Sequence, residues 1–320
     1  MENTVEEPKV KTKFDGFGDD LFSIIPGIEH AGEVPVVNAS ELTEEIFYKN
    51  WVSYNKPCLV KGAVKNWPAV QKFKDPDYWL SVCDDFEIKI FPHMNHIDRE
   101  RLLKDSEDIS FHDAIKRLHR NEDYIFSIPA ETITEDNKFS KLIKEIPGFS
   151  FLSSTIKPRG FAHRRFFMYR RASTAWHHHL IDETLMCQIN GTKKVVLLPP
   201  DMPNVKKVTE FFIEELNLSG KTLDNIDLKP IIACVEEGDA LYIPPYWHHA
   251  VIPVDGEVGF TYAHCWKSPL YKFGDFSNYF VRRFYFGGLW PIKGISLVMP
   301  VLGVCSGISF GFRKMINVFK

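Results

Sequence analysis

The second half of the chain is built from short strand-like runs, and this pattern constrains the fold more than any other feature of the sequence. After Pro147 and Gly148, runs of about five to eight apolar, β-branched or aromatic residues alternate with Gly, Pro or Asp. The runs are RRFFMYRRAS, ETLMCQING, KKVVLLPP, PIIACVEEGDALYIPP, HHAVIPV and GFTYAHCW. Many short strands separated by turn residues favour a sandwich or a barrel, including jelly rolls. The sequence therefore predicts a mainly β fold with α elaboration.

The α elaboration is predicted mainly before this region. Ser40 precedes ELTEEIFYKNWVSY, whose apolar residues recur at helical spacing, so Ser40 is a candidate helix N-cap. The charged stretch 105–148 predicts helices with loops. One later helix, VKKVTEFFIEEL, is predicted inside residues 201–228.

Composition places the chain among globular proteins. It has 320 residues, a formal net charge of −3 and 44% hydrophobic residues, which is enough apolar material for a sizeable core. At roughly 100–200 residues per domain, this length predicts one large domain with extensions or two smaller domains. The mild negative charge and the lack of a long basic block give no clear nucleic-acid signature, which leaves a local basic patch open.

The cysteines and the N-terminal sequence bear on the compartment. The chain has six cysteines and none of them forms a CxxC pair, which predicts buried free thiols in a reducing compartment. The sequence MENTVEEPKVKTKFDGFGDD lacks the basic and apolar regions of a signal peptide. We therefore expect an intracellular protein, in the cytoplasm or on the cytoplasmic side of a membrane.

Both ends of the chain differ in composition from the middle. Residues 1–32 are polar and charged and predict a flexible leader, so the main domain is expected over 33–268. The C-terminal extension, 269–320, contains the 19 uncharged residues 294–312, about the length of a transmembrane helix, with basic residues on both sides. Four glycines and a proline weaken a helix in this segment, which favours a segment packed on the core or in a dimer contact. The sequence therefore leaves two predictions for it, a membrane contact and a packed tail.

Two histidine clusters lie on neighbouring predicted strands, His177–His178–His179 and His248–His249. Imidazole is a common ligand of iron, zinc, copper and nickel, and two histidines with one carboxylate form the Fe(II) site of many oxygenases. Because residues two apart in a strand face the same side, an H-x-D or H-x-E unit directs two ligands into one barrel mouth. A lysine inside such a barrel, for which Lys193 is the candidate, needs an anionic partner, because a buried unpaired charge is costly.

Four motifs in order then resemble the JmjC/cupin-like family of Fe(II)- and 2-oxoglutarate-dependent oxygenases. They are NKPCLVKGAVKNWPAV at 55–70, LMCQINGTKKVVLLPP at 185–200, EEGDALYIPPYWHHAV at 236–251 and FTYAHCW at 260–266. The resemblance covers residues 36–267. It implies a double-stranded β-helix, which is a jelly roll, with Fe(II) and 2-oxoglutarate as cofactors.

The resemblance also implies roles for individual residues. The family's distant metal ligand is the histidine two residues after a tryptophan, which here is His249. The Gly-x-Lys motif matches Gly191 and Lys193, so Lys193 corresponds to the lysine that binds the distal carboxylate of 2-oxoglutarate. Thr174 and Tyr169, on the strands before the histidine run, are the further candidates for co-substrate contacts.

The first ligand pair departs from the family pattern. Counting back from Gly191 makes His178 the ligand and Leu180 the residue in the carboxylate position. Counting forward from the Thr174 of a T-x-x-H motif makes His177 the ligand and places His179 in that position. The two counts differ by one residue, which indicates an insertion or bulge inside the histidine run.

Four outcomes are consistent with this departure. His177, His179 and His249 form a three-histidine centre, or a bulged turn lets Asp182 act as the carboxylate ligand. Alternatively, His178 and His249 bind metal with Leu180 in the third place, or the site is catalytically inactive. The leading prediction is an oxygenase of the hydroxylase type acting on an unidentified protein or small molecule. The alternative is a non-catalytic cupin-like protein that acts as a binding or membrane-associated interaction module.

Overall fold

The computed structural model describes residues 19–92, 106–120, 125–130, 137–152, 158, 162–214, 223, 226–254, 256–286 and 295–318. Within these ranges the strands form two sheets, one of five strands and one of nine. The five-stranded sheet has the spatial order β1 (Gly32–Glu33), β11 (Ile231–Val235), β10 (Lys193–Leu198), β13 (His248–Pro253), β8 (Thr174–His177). The nine-stranded sheet has the order β2 (Val36–Asn38), β3 (Cys58–Lys61), β12 (Ala240–Ile243), β9 (Asp182–Asn190), β14 (Val258–Lys267), β7 (Arg164–Arg170), β6 (Phe126–Ala130), β4 (Glu87–Pro92), β5 (Glu107–Ser110).

Most neighbouring strands in the two sheets are antiparallel, as in a jelly roll. The parallel pairs of the described region are β1 with β11 and β2 with β3, at the sheet edges. An apolar cluster joins the two sheets, with Val195 and Leu197 from β10, Met186 from β9, Leu241 from β12 and Val251 from β13 among its buried members. This arrangement confirms the predicted mainly β, jelly-roll fold.

Helices cover the outer faces of both sheets. A large aromatic core, including Phe47, Trp79 and Phe166, lies between the nine-stranded sheet and the N-terminal helices. A second cluster, including Trp176 and Phe212, covers the five-stranded sheet. The helices are α1 (Asp19–Ser23), α2 (Glu44–Phe47), α3 (Pro68–Lys72), α4 (Pro76–Val82), α5 (Phe111–Arg120), α6 (Val205–Glu214), α7 (Tyr279–Phe286) and α8 (Ile295–Val318). Short 3₁₀ or π turns span Ile28–His30, Ala39–Glu41, Tyr48–Val52, Asn137–Glu145 and Leu270–Gly274.

Two details of the elaboration differ from the sequence prediction. The side chain of Thr43, not Ser40, caps α2, because its Oγ1 accepts the backbone N–H of Ile46 at 3.2 Å. Ser40 lies instead in the preceding 3₁₀ turn. The stretch 105–148 contains strands β5 and β6 in addition to α5, and these strands extend the larger sheet.

The described part of the leader is ordered against the barrel. Leu21, Phe22 and Ile25 are buried in the cluster over the five-stranded sheet, and Trp176 Nε1 donates to the carbonyl oxygen of Leu21 at 2.6 Å. This differs from the flexible leader expected over 1–32, because apolar residues among the charges supply a packing face. Residues 1–18 lie outside the described ranges.

The C-terminal extension forms α7 and α8 and packs beside the barrel. Within the described residues, none of the helices combines the length and apolar character needed to cross a bilayer. Four of the six cysteines are buried as expected, whereas Cys234 and Cys305 are exposed.

Candidate active site

Three histidines converge on the inner side of the five-stranded sheet. One ring nitrogen from each of His177, His179 and His249 lies within 4.8 Å of the other two. The ring centroids of His177 and His249 are 4.1 Å apart, and that of His179 is 5.4 Å and 5.0 Å from them. Nitrogens that each lie about 2.1 Å from one ion are at most about 4.2 Å apart, so the three rings lie close to the spacing that a shared metal ion requires.

A β-bulge decides which histidines face inward. His249 of β13 pairs with His177 of β8, but Val251, two residues further, pairs with Thr174, three residues away. The extra residue of β8 therefore lies between Thr174 and His177, before the histidine run rather than inside it. Because side chains alternate along an extended chain, His177 and His179 share the inner side with His249.

Each of the three rings is held through its Nδ1 atom. His177 Nδ1 is 2.8 Å from the carbonyl oxygen of Ala175, and His249 Nδ1 is 2.9 Å from that of Trp247. His179 Nδ1 is 2.9 Å from the hydroxyl of Thr184. A carbonyl oxygen can only accept, so Nδ1 of His177 and His249 carries the proton and Nε2 keeps the lone pair. Metal-binding histidines commonly have this second hydrogen bond.

Burial keeps two of these imidazoles neutral. Burial, with a smaller contribution from His177, lowers the pKa of His179 and of His249 well below the usual range. A neutral ring is the form that offers a lone pair.

The other predicted ligands lie elsewhere. His178 faces the opposite side, with its ring centroid 4.4 Å from that of His248 and 4.8 Å from that of Phe280 in α7. Asp182 is fully buried at the start of β9, and its carboxylate is not part of the histidine group. Leu180 is 47% exposed. The structure thus brings together His177, His179 and His249, and leaves His178, Asp182 and Leu180 outside the group.

Lys193 lies on the inner face of β10, further along the same sheet. Its side chain is 5% exposed, its Nζ lies 3.8 Å from the centre of the Tyr169 ring, and burial lowers its pKa to about 7. Among the described residues no carboxylate forms an ion pair with Lys193, whereas Lys194 beside it points to solvent. Gly191, with φ 79°, forms the turn that leads into this strand, where the left-handed conformation favours glycine.

A hydrogen-bonded chain holds Tyr169 beneath Lys193. Gln188 Nε2 donates to the Tyr169 hydroxyl at 2.7 Å, and Thr261 Oγ1 donates to Gln188 Oε1 at 2.9 Å. The Tyr169 ring lies across Gly259, where a Cβ atom would collide with it. Thr174 of β8 pairs with Val251 of β13, so Thr174 lies two strands away from Lys193 of β10.

Sequence reasoning missed Thr184, Gln188 and Thr261, which support the predicted residues. All three lie on β9 or β14, and Thr184 and Gln188 are an even number of residues apart. Once Thr184 is placed inside, period-two alternation would have placed Gln188 inside as well.

A jelly roll with inward histidines and a buried lysine defines a protein of the JmjC/cupin-like class. The family model described as a cupin-like domain matches residues 43–266. The chain therefore belongs to the cupin-like domain family, as the sequence motifs predicted.

Three curated relatives show the range of this similarity. The chain is 24% identical to "Jumonji C domain-containing protein 5" of Drosophila melanogaster, over 68% of this chain and 56% of the relative. It is 24% identical to "Arginine-specific demethylase JMJ22" of Arabidopsis thaliana, over 72% and 46%. It is 25% identical to human "tRNA wybutosine-synthesizing protein 5", over 71% and 76%. The chain spans about half the length of the first two relatives.

Proposed function

We propose that the chain is an Fe(II)- and 2-oxoglutarate-dependent oxygenase whose metal ligands are His177, His179 and His249. The observation that carries the proposal is the convergence of these three rings, each held through Nδ1, inside a JmjC/cupin-like barrel. Imidazole suits iron, although it also suits zinc, copper and nickel. Position 179 holds a histidine where the family has a carboxylate. A neutral imidazole replaces an anion there, so the metal-loaded site would carry one more positive charge than the family's usual site.

The unpaired buried lysine supports the co-substrate half of the proposal. Lys193 lies opposite Pro253, four residues along β13 from His249. At about 3.3 Å per residue this separation is about 13 Å, which the lysine side chain and a small dicarboxylate can span together. The Lys193 ammonium would bind the distal carboxylate, with Tyr169 below it and the apolar cluster between the sheets excluding water. When bound, Fe(II) and 2-oxoglutarate supply O₂ activation, with the oxo acid oxidised to succinate and CO₂.

The relatives differ in the activities that their names indicate. One is named as an arginine-specific demethylase and another as a tRNA wybutosine-synthesizing protein. We propose that the substrate is a protein or a small molecule and that the chain acts inside the cell.

Anaerobic titration with Fe(II) and 2-oxoglutarate tests the proposal. We expect one Fe(II) per chain and the weak visible charge-transfer band of a chelated 2-oxo acid. His177→Gln, His179→Gln and His249→Gln should each abolish the band, whereas the matched control His178→Gln should keep it. Retention of the band in the first three variants, or its loss only in the control, would contradict the ligand set.

The histidine at position 179 favours a second candidate, a cupin-like protein that binds metal and 2-oxoglutarate without turnover. Succinate release after admission of O₂ separates the two functions. His179→Asp restores a carboxylate at the inward position, whereas Leu180→Asp places one at an exposed position. Succinate release by the His179→Asp variant, but not by the wild-type chain, would favour the non-catalytic candidate.

A further inference from the structure

The C-terminal helix α8 has two apolar sides, and one of them packs on the rest of the chain. Met299 and Gly303 are buried on this packed side. A Cβ atom at Gly307 would come within 2.6 Å of the Phe276 ring, and one at Gly303 would come within 3.0 Å of Tyr285. The small residues thus allow a close approach that fixes the rotation of α8 about its axis.

The other side of α8, here called the outer face, is apolar and exposed. Half of the 16 exposed large apolar side chains in the described residues belong to this one helix, and each of the eight is 48–61% exposed. At about 100° per residue they fill a continuous arc of about 160°. They are Val298, Val301, Leu302, Val304, Ile308, Phe312, Met315 and Ile316. A patch of this kind marks an interaction surface, whereas isolated exposed apolar residues need no explanation.

The charge around the outer face indicates what it binds. Residues 269–320 contain seven Lys or Arg residues, of which Lys272 is paired with buried Glu183, and a single acidic residue, Asp275, in a chain whose net charge is −3. Arg313 and Lys314 are exposed near the end of α8, and Arg282 is exposed on α7. A helix that combines an apolar face with basic residues is typical of binding in the plane of an anionic membrane surface.

A second copy of the chain fits this charge pattern less well. A two-fold contact through α8 presents the same patch of each subunit to the other. It would therefore bring two basic extensions together, and like charges at an interface oppose binding.

We propose that α8 lies in the plane of an anionic membrane surface, with its outer face among the lipid acyl chains and its packed side on the protein. This arrangement differs from a spanning helix, because contacts with Phe276 and Tyr285 hold α8 along the protein surface. The proposal stands on the C-terminal extension alone and does not depend on the proposed oxygenase activity.

Cys305 provides a direct probe, because it is exposed and lies between Leu302 and Ile308 on the outer face. An environment-sensitive fluorophore is attached to Cys305 in the full chain carrying Cys234→Ser. The matched control carries the same fluorophore on exposed Cys234 of β11, with Cys305→Ser. With vesicles of phosphatidylcholine and phosphatidylserine we expect a blue shift for the Cys305 label only, reduced by salt.

Vesicle pelleting of the unlabelled chain tests the apolar contact. Phe312→Glu, at a side chain that is 59% exposed, should weaken binding to phosphatidylserine-containing vesicles at least about tenfold, which corresponds to about 1.4 kcal/mol. Val36→Glu, at a similarly exposed position in β2, should leave binding unchanged.

Three results would overturn the proposal. They are no pelleting with the phosphatidylserine-containing vesicles, equal binding by the Phe312→Glu variant, or a blue shift of the Cys234 label alone. If light scattering finds a dimer that Phe312→Glu converts to a monomer, without vesicle binding, a second copy covers the outer face instead.

Discussion

At the scale of single residues, Lys193 has an unusual electrostatic position. It is a nearly buried ammonium group whose neighbour among the described side chains is the ring of Tyr169. A cation over an aromatic face gains some stabilisation, but less than it loses on leaving water. Burial accordingly lowers the pKa of Lys193 from 10.5 to about 7.

This lowered pKa predicts how stability depends on pH. Between pH 7 and pH 10.5 the unfolded chain binds more protons at this lysine than the folded chain does, so stability rises with pH across that window. Below pH 7 the full cost of charging the buried group is present. From pH 7 to pH 9, the wild-type chain should gain about 2 kcal/mol relative to Lys193→Met. Urea unfolding at the two pH values checks this, and equal gains in both proteins would contradict it.

Ligand binding should raise the pKa of Lys193 again. A dicarboxylate that pairs with Lys193 favours the ammonium form, so binding at pH 8 should take up close to one proton, by linkage. Calorimetry in buffers of different ionisation enthalpy measures the proton, and Lys193→Met should remove it. An unchanged uptake in this variant would show that another group is responsible.

At the scale of the elements, the pairing of β7 with β14 positions the Tyr169 ring beside Lys193. Gly259 of β14 faces Tyr169 of β7 across the ladder, and the absence of a side chain lets the ring lie flat against the strand. Gln188 of β9 then fixes the ring through its hydroxyl.

Gly259→Ala should therefore displace Tyr169 from beneath Lys193. We expect an overpacking cost of about 1–3 kcal/mol in stability and a loss of 2-oxoglutarate affinity on the order of tenfold. Gly32→Ala is the matched control, because a Cβ there would meet Ile231 at an ordinary 3.4 Å. Thermal unfolding and calorimetric titration of both variants provide the comparison; equal affinities would show that the ring position is not required.

The elements also show where prediction from sequence succeeds. The strands of the second half follow from turn residues between apolar runs, because both are local properties of the chain. The bulge in β8 does not follow, because it exists only in the pairing of β8 with β13. From sequence alone the three-histidine group is therefore one of four outcomes, although each of its residues is a candidate. The packing of Leu21 likewise depends on tertiary context, whereas the cap at Thr43 is a local contact between residues three apart.

At the scale of the whole molecule, one buried ion pair connects the C-terminal extension to the barrel. Lys272, in the turn before α7, donates from Nζ to Oε1 of Glu183 in β9 at 2.6 Å. Tyr242 donates its hydroxyl to Oε2 of the same carboxylate at 2.5 Å, and Ser268 donates to Oε1. Glu183 is fully buried, so these partners replace the water contacts that its side chain loses on folding.

Removing the lysine alone should be costly. Lys272→Met leaves the Glu183 carboxylate buried without a counter-charge, and we expect a loss of about 3–5 kcal/mol in the free energy of unfolding. The double variant Glu183→Gln with Lys272→Met should lose less. Lys74→Met, in the exposed pair with Glu237, is the control and should cost at most about 1 kcal/mol. Denaturant unfolding checks all three, and equal losses for Lys272→Met and Lys74→Met would contradict the expectation.

The bulge between Thr174 and His177 has a consequence for how such a site can change. If β8 paired regularly with β13 from Thr174 onward, with no bulge, Trp176 would lie opposite His249 and the histidine run would turn over without any change of sequence. His178 and Leu180 would then share the inner side with His249, and Trp176 would leave the outer core for the barrel interior. In this barrel the register of β8 against β13, as much as the identity of any residue, decides which histidine rings meet on the inner side.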